Sequence, residues 1–272
     1  MLSYPLTLYA SRGRRLVAVV LPMPSIASDA LVLRSHKVGE TSKVVVLLTR
    51  ERGKVRAVAK GARSPRSRYQ SSLEPLSEVR IGLYGRQGAE LYRLGECELL
   101  HSAFRTGERN LDTALALSYV AELLDAFALE GHAEDAVYRL ALAVVHAAEE
   151  GVAGDVLSRY LEAWLLKLHG LYPPLDRCAG CHAPLPSGGL DYHAPSRGFV
   201  CRNCGPASGP KLASATRSFL EDVFRVGPGA IGELPEAARV LEAFHEMLIS
   251  QHLERRLRSG RVLKDVERES RG

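Results

Sequence analysis

Aromatic residues are scarce in this 272-residue chain, which holds one Trp, ten Tyr and six Phe, 6% of the whole. A protein that grips single-stranded nucleic acid mainly by stacking bases needs a richer supply of rings. Any such binding here is therefore expected to rest on backbone charge. No run of about 18 apolar residues occurs, so no membrane-crossing helix and no membrane partner are expected. The phosphate loop G-x-x-x-x-G-K-[ST], the zinc-protease helix H-E-x-x-H and the nucleophile elbow G-x-S-x-G are missing. The acids do not cluster along the chain as those of a nuclease would. His101, His132, His146 and His169 are scattered on or beside helical segments and read as packed or solvent-facing side chains. No catalytic residue is expected, and non-enzymatic binding is the better hypothesis.

Positive charge, by contrast, is plentiful and unevenly placed. Residues 28–104 carry fourteen Lys/Arg against eight Asp/Glu, residues 105–250 twelve against nineteen, and residues 251–272 seven against four. A basic front joined to an acidic middle argues for two domains with different partners. The densest stretch is Arg50–Arg68, with eight basic residues and one acid, Glu51. Part of it alternates: Val55, Ala57 and Ala59 share one parity, while Lys54, Arg56 and Lys60 share the other. In a strand these parities lie on opposite faces. The row runs into Gly61-Ala-Arg-Ser-Pro-Arg-Ser-Arg, a loop carrying Arg63, Arg66 and Arg68. A cationic strand and loop suit a nucleic-acid backbone. Lys37 and Lys43, flanking the first strand connection, are further candidates.

Strand signals fill residues 28–100. Asp29–Arg34, the continuously apolar Lys43–Thr49, Lys54–Lys60, Pro75–Tyr84 and Ala89–Leu100 make five strands, with Gly53 turning a hairpin. Five short strands suit a small closed barrel, of which the oligonucleotide-binding (OB) type is the common five-stranded one, with a small sandwich or an SH3-like barrel as alternatives. Of the tyrosines in range, Tyr69, Tyr84 and Tyr92, two are expected in the barrel core. Helical periodicity follows: Asn110 or Asp112 to about Leu129, Glu134–Glu150, Asp155–His169, Ser214–Val226, and Pro235–Arg258 with Leu241, Phe244, Leu248 and His252 along a stripe. The fold class is thus α+β, a five-stranded OB-fold barrel over residues 28–104 and an α-helical domain over 105–272. Residues 1–27 read as an extension, disordered or a mis-assigned start with Met23 as the natural initiator.

Two C-x-x-C pairs, Cys178/Cys181 and Cys201/Cys204, stand nineteen residues apart inside the helical half. Each pair presents two thiolates to one tetrahedral ion, so residues 178–204 read as a zinc ribbon inserted among the helices. Four thiolates leave no open coordination position, and one structural Zn²⁺ is expected. Reduced thiolates place the protein in the cytoplasm. Cys97, in an alternating strand, reads as a small core residue.

Several segments resemble the RecO family of bacterial recombinational repair mediators. In the front half these are Ala30-Leu-Val-Leu, Gly39-Glu-Thr-Ser-Lys43, Leu48-Thr49, Gly53-Lys54 and Val58-Ala-Lys-Gly-Ala-Arg63. In the rear half they are Gly170-Leu-Tyr-Pro, the cysteine quartet and Leu257-Arg-Ser-Gly-Arg-Val-Leu. The resemblance implies a protein that binds single- and double-stranded DNA, anneals complementary strands and binds the acidic tail of single-strand-binding protein. It also implies that, with RecR, such a protein helps RecA replace single-strand-binding protein, and that it works at the nucleoid. The basic terminal helix, with Arg255, Arg256 and Arg258, is a plausible seat for the acidic tail. The competing reading is an RNA-binding factor built from the same barrel and ribbon.

Overall fold

The computed structural model describes residues 26–86, 88–103 and 111–253. Nearly all of the expected N-terminal extension lies outside these residues, as do Arg255, Arg256 and Arg258. Five strands, β1 (Ile26–Val38), β2 (Ser42–Thr49), β3 (Gly53–Ala59), β4 (Ser77–Tyr84) and β5 (Tyr92–Ser102), close into a barrel in the order β1-β2-β3-β5-β4. This is the OB-fold. All neighbours are antiparallel except β3 and β5, which meet only at Ala57–Tyr92 and Val58–Arg93. That short parallel contact leaves the first half of β3 without a barrel neighbour on that side.

Strand parity sorts the barrel's residues into two cores. Ala30, Val32, Val45, Leu47, Val55, Ala57, Ala59, Leu83, Tyr92 and Leu94 fill the interior. Tyr69 joins them, 2% exposed, so two of the three tyrosines serve this core while Tyr84 is half-buried. The alternate residues Leu31, Leu33, Val46 and Leu48 point outward, yet they too are buried, in a continuous core shared with the helices. The nearly unbroken apolar run of β2 is thereby explained: one face lines the barrel and the other meets the helical half. Cys97 is half-buried and packs against the barrel core.

The helices are α1 (Leu111–Phe127), α2 (Asp135–Glu149), α3 (Gly154–Leu168), α4 (Ser214–Val223) and α5 (Val240–His252). Helix α3 is buried along most of its length, and its polar residues are paired inside. Glu162 accepts from Tyr119 Oη (2.6 Å), Arg159 Nη2 (2.8 Å) and His245 Nδ1 (2.8 Å), and His245 Nε2 lies 3.0 Å from Tyr172 Oη. Burial pushes the Glu162 carboxyl up, but Arg159 and the hydrogen bonds outweigh it and hold the group below the usual range. Burial likewise pushes His245 down, so a neutral imidazole donates to an ionised carboxylate. This network ties α1, α3, α5 and the chain before the ribbon to one point.

Two helical expectations differ from the structure. The terminal helix does not begin at Pro235: residues Glu236–Arg239 form a 3₁₀ turn, closed by Ala238 N donating to Pro235 O at 2.8 Å, and the α-helix starts at Val240. It also ends at His252, whose ring stacks on Phe127 with centroids 5.4 Å apart, while Leu253 is already extended. The fourth helix stops at Val223, where Trp164 Nε1 donates to its carbonyl at 2.9 Å. The sequence stretch Gly227-Pro-Gly-Ala-Ile-Gly has dinucleotide-loop spacing, but it follows a helix and forms a 3₁₀ turn at Pro228–Ala230. It lacks the strand-to-helix setting that such a loop requires.

Candidate nucleic-acid interface and metal centre

The eight cations singled out in the front half occupy two different environments. Lys54 and Arg56 point outward from β3, as their parity requires, but they face the turn between α1 and α2. Lys54, 12% exposed, places Nζ 3.6 Å from Asp125 Oδ1 and donates to Asp125 O at 2.6 Å; Arg34 Nε adds a second cation 3.1 Å from Asp125 Oδ2. Arg56 Nη2 lies 2.5 Å from Glu130 Oε1, and Arg50 Nε lies 3.1 Å from Asp135 Oδ1. The backbone joins in: Lys54 N donates to Leu129 O and Gly131 N to Lys54 O, both at 3.0 Å. The turn thus takes the place along early β3 that β5 leaves empty. Gly53 makes the close approach possible, because its φ is +59° and a Cβ there would meet His132 O at 1.8 Å.

The other cations gather at the far end of β3. Arg63 bridges the β1–β2 connection, its Nη1 donating to Glu40 O (2.8 Å) and Gly39 O (3.3 Å) and its backbone N to Thr41 O (2.8 Å). The basic loop is therefore pinned against the neighbouring loop. Arg68 lies 5.0 Å over the Tyr69 ring and donates to Tyr69 Oη at 2.9 Å. Lys43 is half-buried and 3.6 Å from Glu74. Lys37, Lys60 and Arg66 are exposed and, among the described residues, have no carboxylate partner. The fold brings two further exposed cations to this end, Arg86 on the β4–β5 loop and Arg93 at the start of β5. Sequence reasoning missed both. The alternation of Tyr92, Arg93 and Leu94 places Arg93 outside the barrel, but only the non-local β3–β5 pairing places it beside Val58.

The ribbon forms the second centre. β6 (Leu190–His193) pairs with β7 (Gly198–Phe199) and β8 (Lys211–Leu212), and Tyr192 and Phe199 pack on Phe244 of α5 with ring centroids 5.3 and 5.7 Å away. On this base the four ligand atoms of Cys178, Cys181, Cys201 and Cys204 lie within 4.8 Å of one another, an arrangement that could hold a metal ion. The Sγ atoms of Cys181 and Cys201 are 3.8 Å apart. A tetrahedron with metal–sulfur bonds of about 2.3 Å has an edge of about 3.8 Å. The backbone amides of Cys201 (3.3 Å) and Gly180 (3.4 Å) point at Cys178 Sγ. Those amide donors, with that of Cys181, draw the Cys178 thiol down to about 6, while hydrogen bonds among the neighbouring thiols push Cys204 up to about 12. Gly180 carries no side chain because a Cβ would sit 3.0 Å from Cys204 Cβ, wedged between the two knuckles. Among the described residues no other group of three or more His, Cys, Asp and Glu is so placed.

A closed OB-fold barrel with a cationic end, fused through a shared core to a helical half that carries a four-thiolate ribbon, defines a class of barrel-and-ribbon proteins. Residues 23–103 match the model of the recombination protein O N terminal, and residues 108–261 match that of the recombination protein O C terminal. The chain belongs to the RecO family. It is 33% identical over 233 residues to the DNA repair protein RecO of Koribacter versatilis, covering 85% of this chain and 94% of that one. With the DNA repair protein RecO of Symbiobacterium thermophilum it shares 34% over 248 residues, 86% of this chain and 95% of the relative. With that of Desulforudis audaxviator it shares 33% over 259 residues, 90% and 98%.

Proposed function

We propose that this protein is a non-catalytic mediator of DNA repair by homologous recombination. It binds single- and double-stranded DNA through the far end of β3, anneals complementary strands, and with RecR helps RecA load onto DNA covered by single-strand-binding protein. The observation that carries this reading is the convergence of Lys37, Lys60, Arg63, Arg66, Arg68, Arg86 and Arg93 from two loops and two strand ends. Two DNA strands repel each other, so annealing needs screening and proximity. Cations on pinned loops neutralise phosphates and release counterions with little dependence on sequence. Lys43 supports the same surface. Lys54 contributes less to DNA than to the seam with the helical half, where Asp125 engages it.

The cysteine quartet holds one structural Zn²⁺ in this reading, since four thiolates suit zinc and leave no position for a reacting water. No helix among the described residues is long and apolar enough to cross a membrane. The protein acts in the cytoplasm at the nucleoid, and the acidic tail of single-strand-binding protein docks on Arg255, Arg256 and Arg258. Strand annealing with and without single-strand-binding protein tests the proposal: acceleration of both reactions supports it, and failure to anneal even naked strands rejects it. Competition between RNA and single-stranded DNA of equal length tests the RNA-binding alternative, which predicts a clear preference for RNA.

A further inference from the structure

The outer face of the barrel beside Val58 has an unusual arrangement of charge. On β3 the outward side chains run Lys54, Arg56, Val58, with Lys60 the first residue past the strand, and the parallel contact sets Arg93 of β5 directly opposite Val58. Strands about 4.8 Å apart with a rise of about 3.3 Å per residue place the Cα atoms of Arg56 and Lys60 each roughly 8 Å from that of Arg93. Side chains of this length can meet over Val58, which offers them an apolar floor and no competing hydrogen bond. Lys60 and Arg93 have no carboxylate partner among the described residues. Arg56 has one: Glu130, from the α1–α2 turn, sits 2.5 Å from its Nη2, and both side chains are about half exposed, 49% and 56%. Glu130 is fixed there by its own turn, whose neighbours Leu129 and Gly131 hydrogen-bond to Lys54 of β3.

We propose that Arg56 and Arg93, flanked by Lys60, form a phosphodiester subsite on the barrel flank, and that Glu130 occupies it as an intramolecular counter-anion. The carboxylate stands where one phosphate of a bound strand would stand, held by the same bidentate-capable guanidinium. A nucleic-acid strand lying across the end of β3 reaches Arg93 and Lys60 first and gains Arg56 by displacing Glu130. The ion pair is exposed, so it is weak enough to be exchanged for a phosphate. The adjoining Lys54–Asp125 pair is nearly buried and stays in place, so the turn remains attached while its one exposed acid gives way. The subsite rests on the reading of the β3 end as a DNA surface, and it deepens that reading by naming how the surface is limited at one edge.

The test measures binding of a labelled oligothymidylate to the full chain by fluorescence anisotropy over a series of salt concentrations. Four variants are compared with the unaltered protein: Arg93→Ala, Glu130→Gln, the Arg56→Ala/Glu130→Gln double change, and a Lys37→Ala/Arg66→Ala/Arg68→Ala control outside the subsite. Each phosphate contact contributes about 0.7 to the slope of log affinity against log salt on a single strand. Arg93→Ala is expected to weaken binding several-fold and make the slope shallower by about that amount. Glu130→Gln is expected to tighten binding several-fold and steepen the slope by a similar amount, and the double change is expected to abolish that gain. The subsite is overturned if Arg93→Ala or Glu130→Gln keeps the original slope while the control weakens binding. If the control also binds as before, the DNA surface itself lies elsewhere and the subsite falls with it.

Discussion

Lys54 Nζ donates to the backbone carbonyl of Asp125 at 2.6 Å and stands 3.6 Å from the carboxylate of that same residue. The two residues come from β3 and α1, and their side chains are 12% and 7% exposed. Lys54 therefore serves two acceptors on one residue and fastens the barrel to the first helix. Replacing it with Met removes one cation from a nearly buried carboxylate, while Arg34 keeps its own contact. The expected cost is about 1–3 kcal/mol, read as a lower urea midpoint. The salt slope of DNA binding should hardly move. A normal midpoint with a shallower slope would return Lys54 to the DNA surface.

At the other end of β3 the expectation is reversed. Changing Lys60, Arg66 and Arg68 together to Ala should change the unfolding free energy by only about 0.5 kcal/mol per exposed position, read by urea denaturation. It should weaken binding to all sequences alike and flatten the salt slope by about 2 for three lost contacts on a single strand. Sequence-dependent losses would argue for base reading in place of backbone contact.

The thiolate quartet is tested by composition. Mass spectrometry of the intact protein under non-denaturing conditions should find one zinc ion per chain, and Cys201→Ser should lose it. Because Tyr192 and Phe199 rest on Phe244, loss of the ion should also loosen the ribbon's grip on α5. That loosening should appear as faster amide exchange in residues 190–212, with the barrel unaffected. Full zinc content in Cys201→Ser would remove this residue from the ligand set.

Acid should weaken the protein through His245. Its folded value is depressed by burial, so the neutral form is favoured inside and stability is complete above the unfolded value of about 6.5. As pH falls below that point the unfolded chain takes up a proton that the folded one refuses, and stability drops. Glu162, also depressed, adds a second loss at lower pH, as the fall approaches its folded value. Denaturation between pH 7.5 and pH 5.5 should show a falling midpoint in the unaltered protein and a flatter profile in His245→Gln. Parallel profiles would assign the pH dependence to other groups.

Gly53→Ala combines two penalties, a left-handed backbone at φ +59° and a Cβ 1.8 Å from His132 O. The substitution should cost at least about 1–3 kcal/mol from the backbone alone. It should also push the α1–α2 turn off β3. Gly61→Ala, at φ +72° with nothing within 4 Å, is the control and should cost only the backbone part. Equal losses in the two variants would mean that the turn does not press on Gly53.

The hairpin order of the barrel was legible because each feature is local: alternation in Lys54–Lys60, the apolar run of β2, and a turn glycine at Gly53. The ribbon was legible because its chemistry lies in spacing alone. The meaning of the basic row was only half legible. Parity told which side Lys54 and Arg56 face, but Asp125 is 71 residues from Lys54 and Glu130 is 74 from Arg56. Nothing local to β3 says that the outer face is covered there and open at Lys60. Arg93 was passed over for the same reason, since its neighbour Val58 is made by barrel closure. The expected run of α5 to Arg258 lies in part outside the described residues; within them the helix stops at His252, where that ring reaches Phe127.

Leu31, Leu33, Val46 and Leu48, outside the barrel yet buried, have a practical consequence. A fragment cut after residue 103 would present four bare aliphatic side chains to water on one wall, together with an orphaned Lys54. Such a fragment would be adhesive and prone to self-association. The front half is therefore not a portable cassette that could be cut out and keep its fold unchanged. Damage in α1 should therefore reach the barrel wall, because the two halves share one buried core.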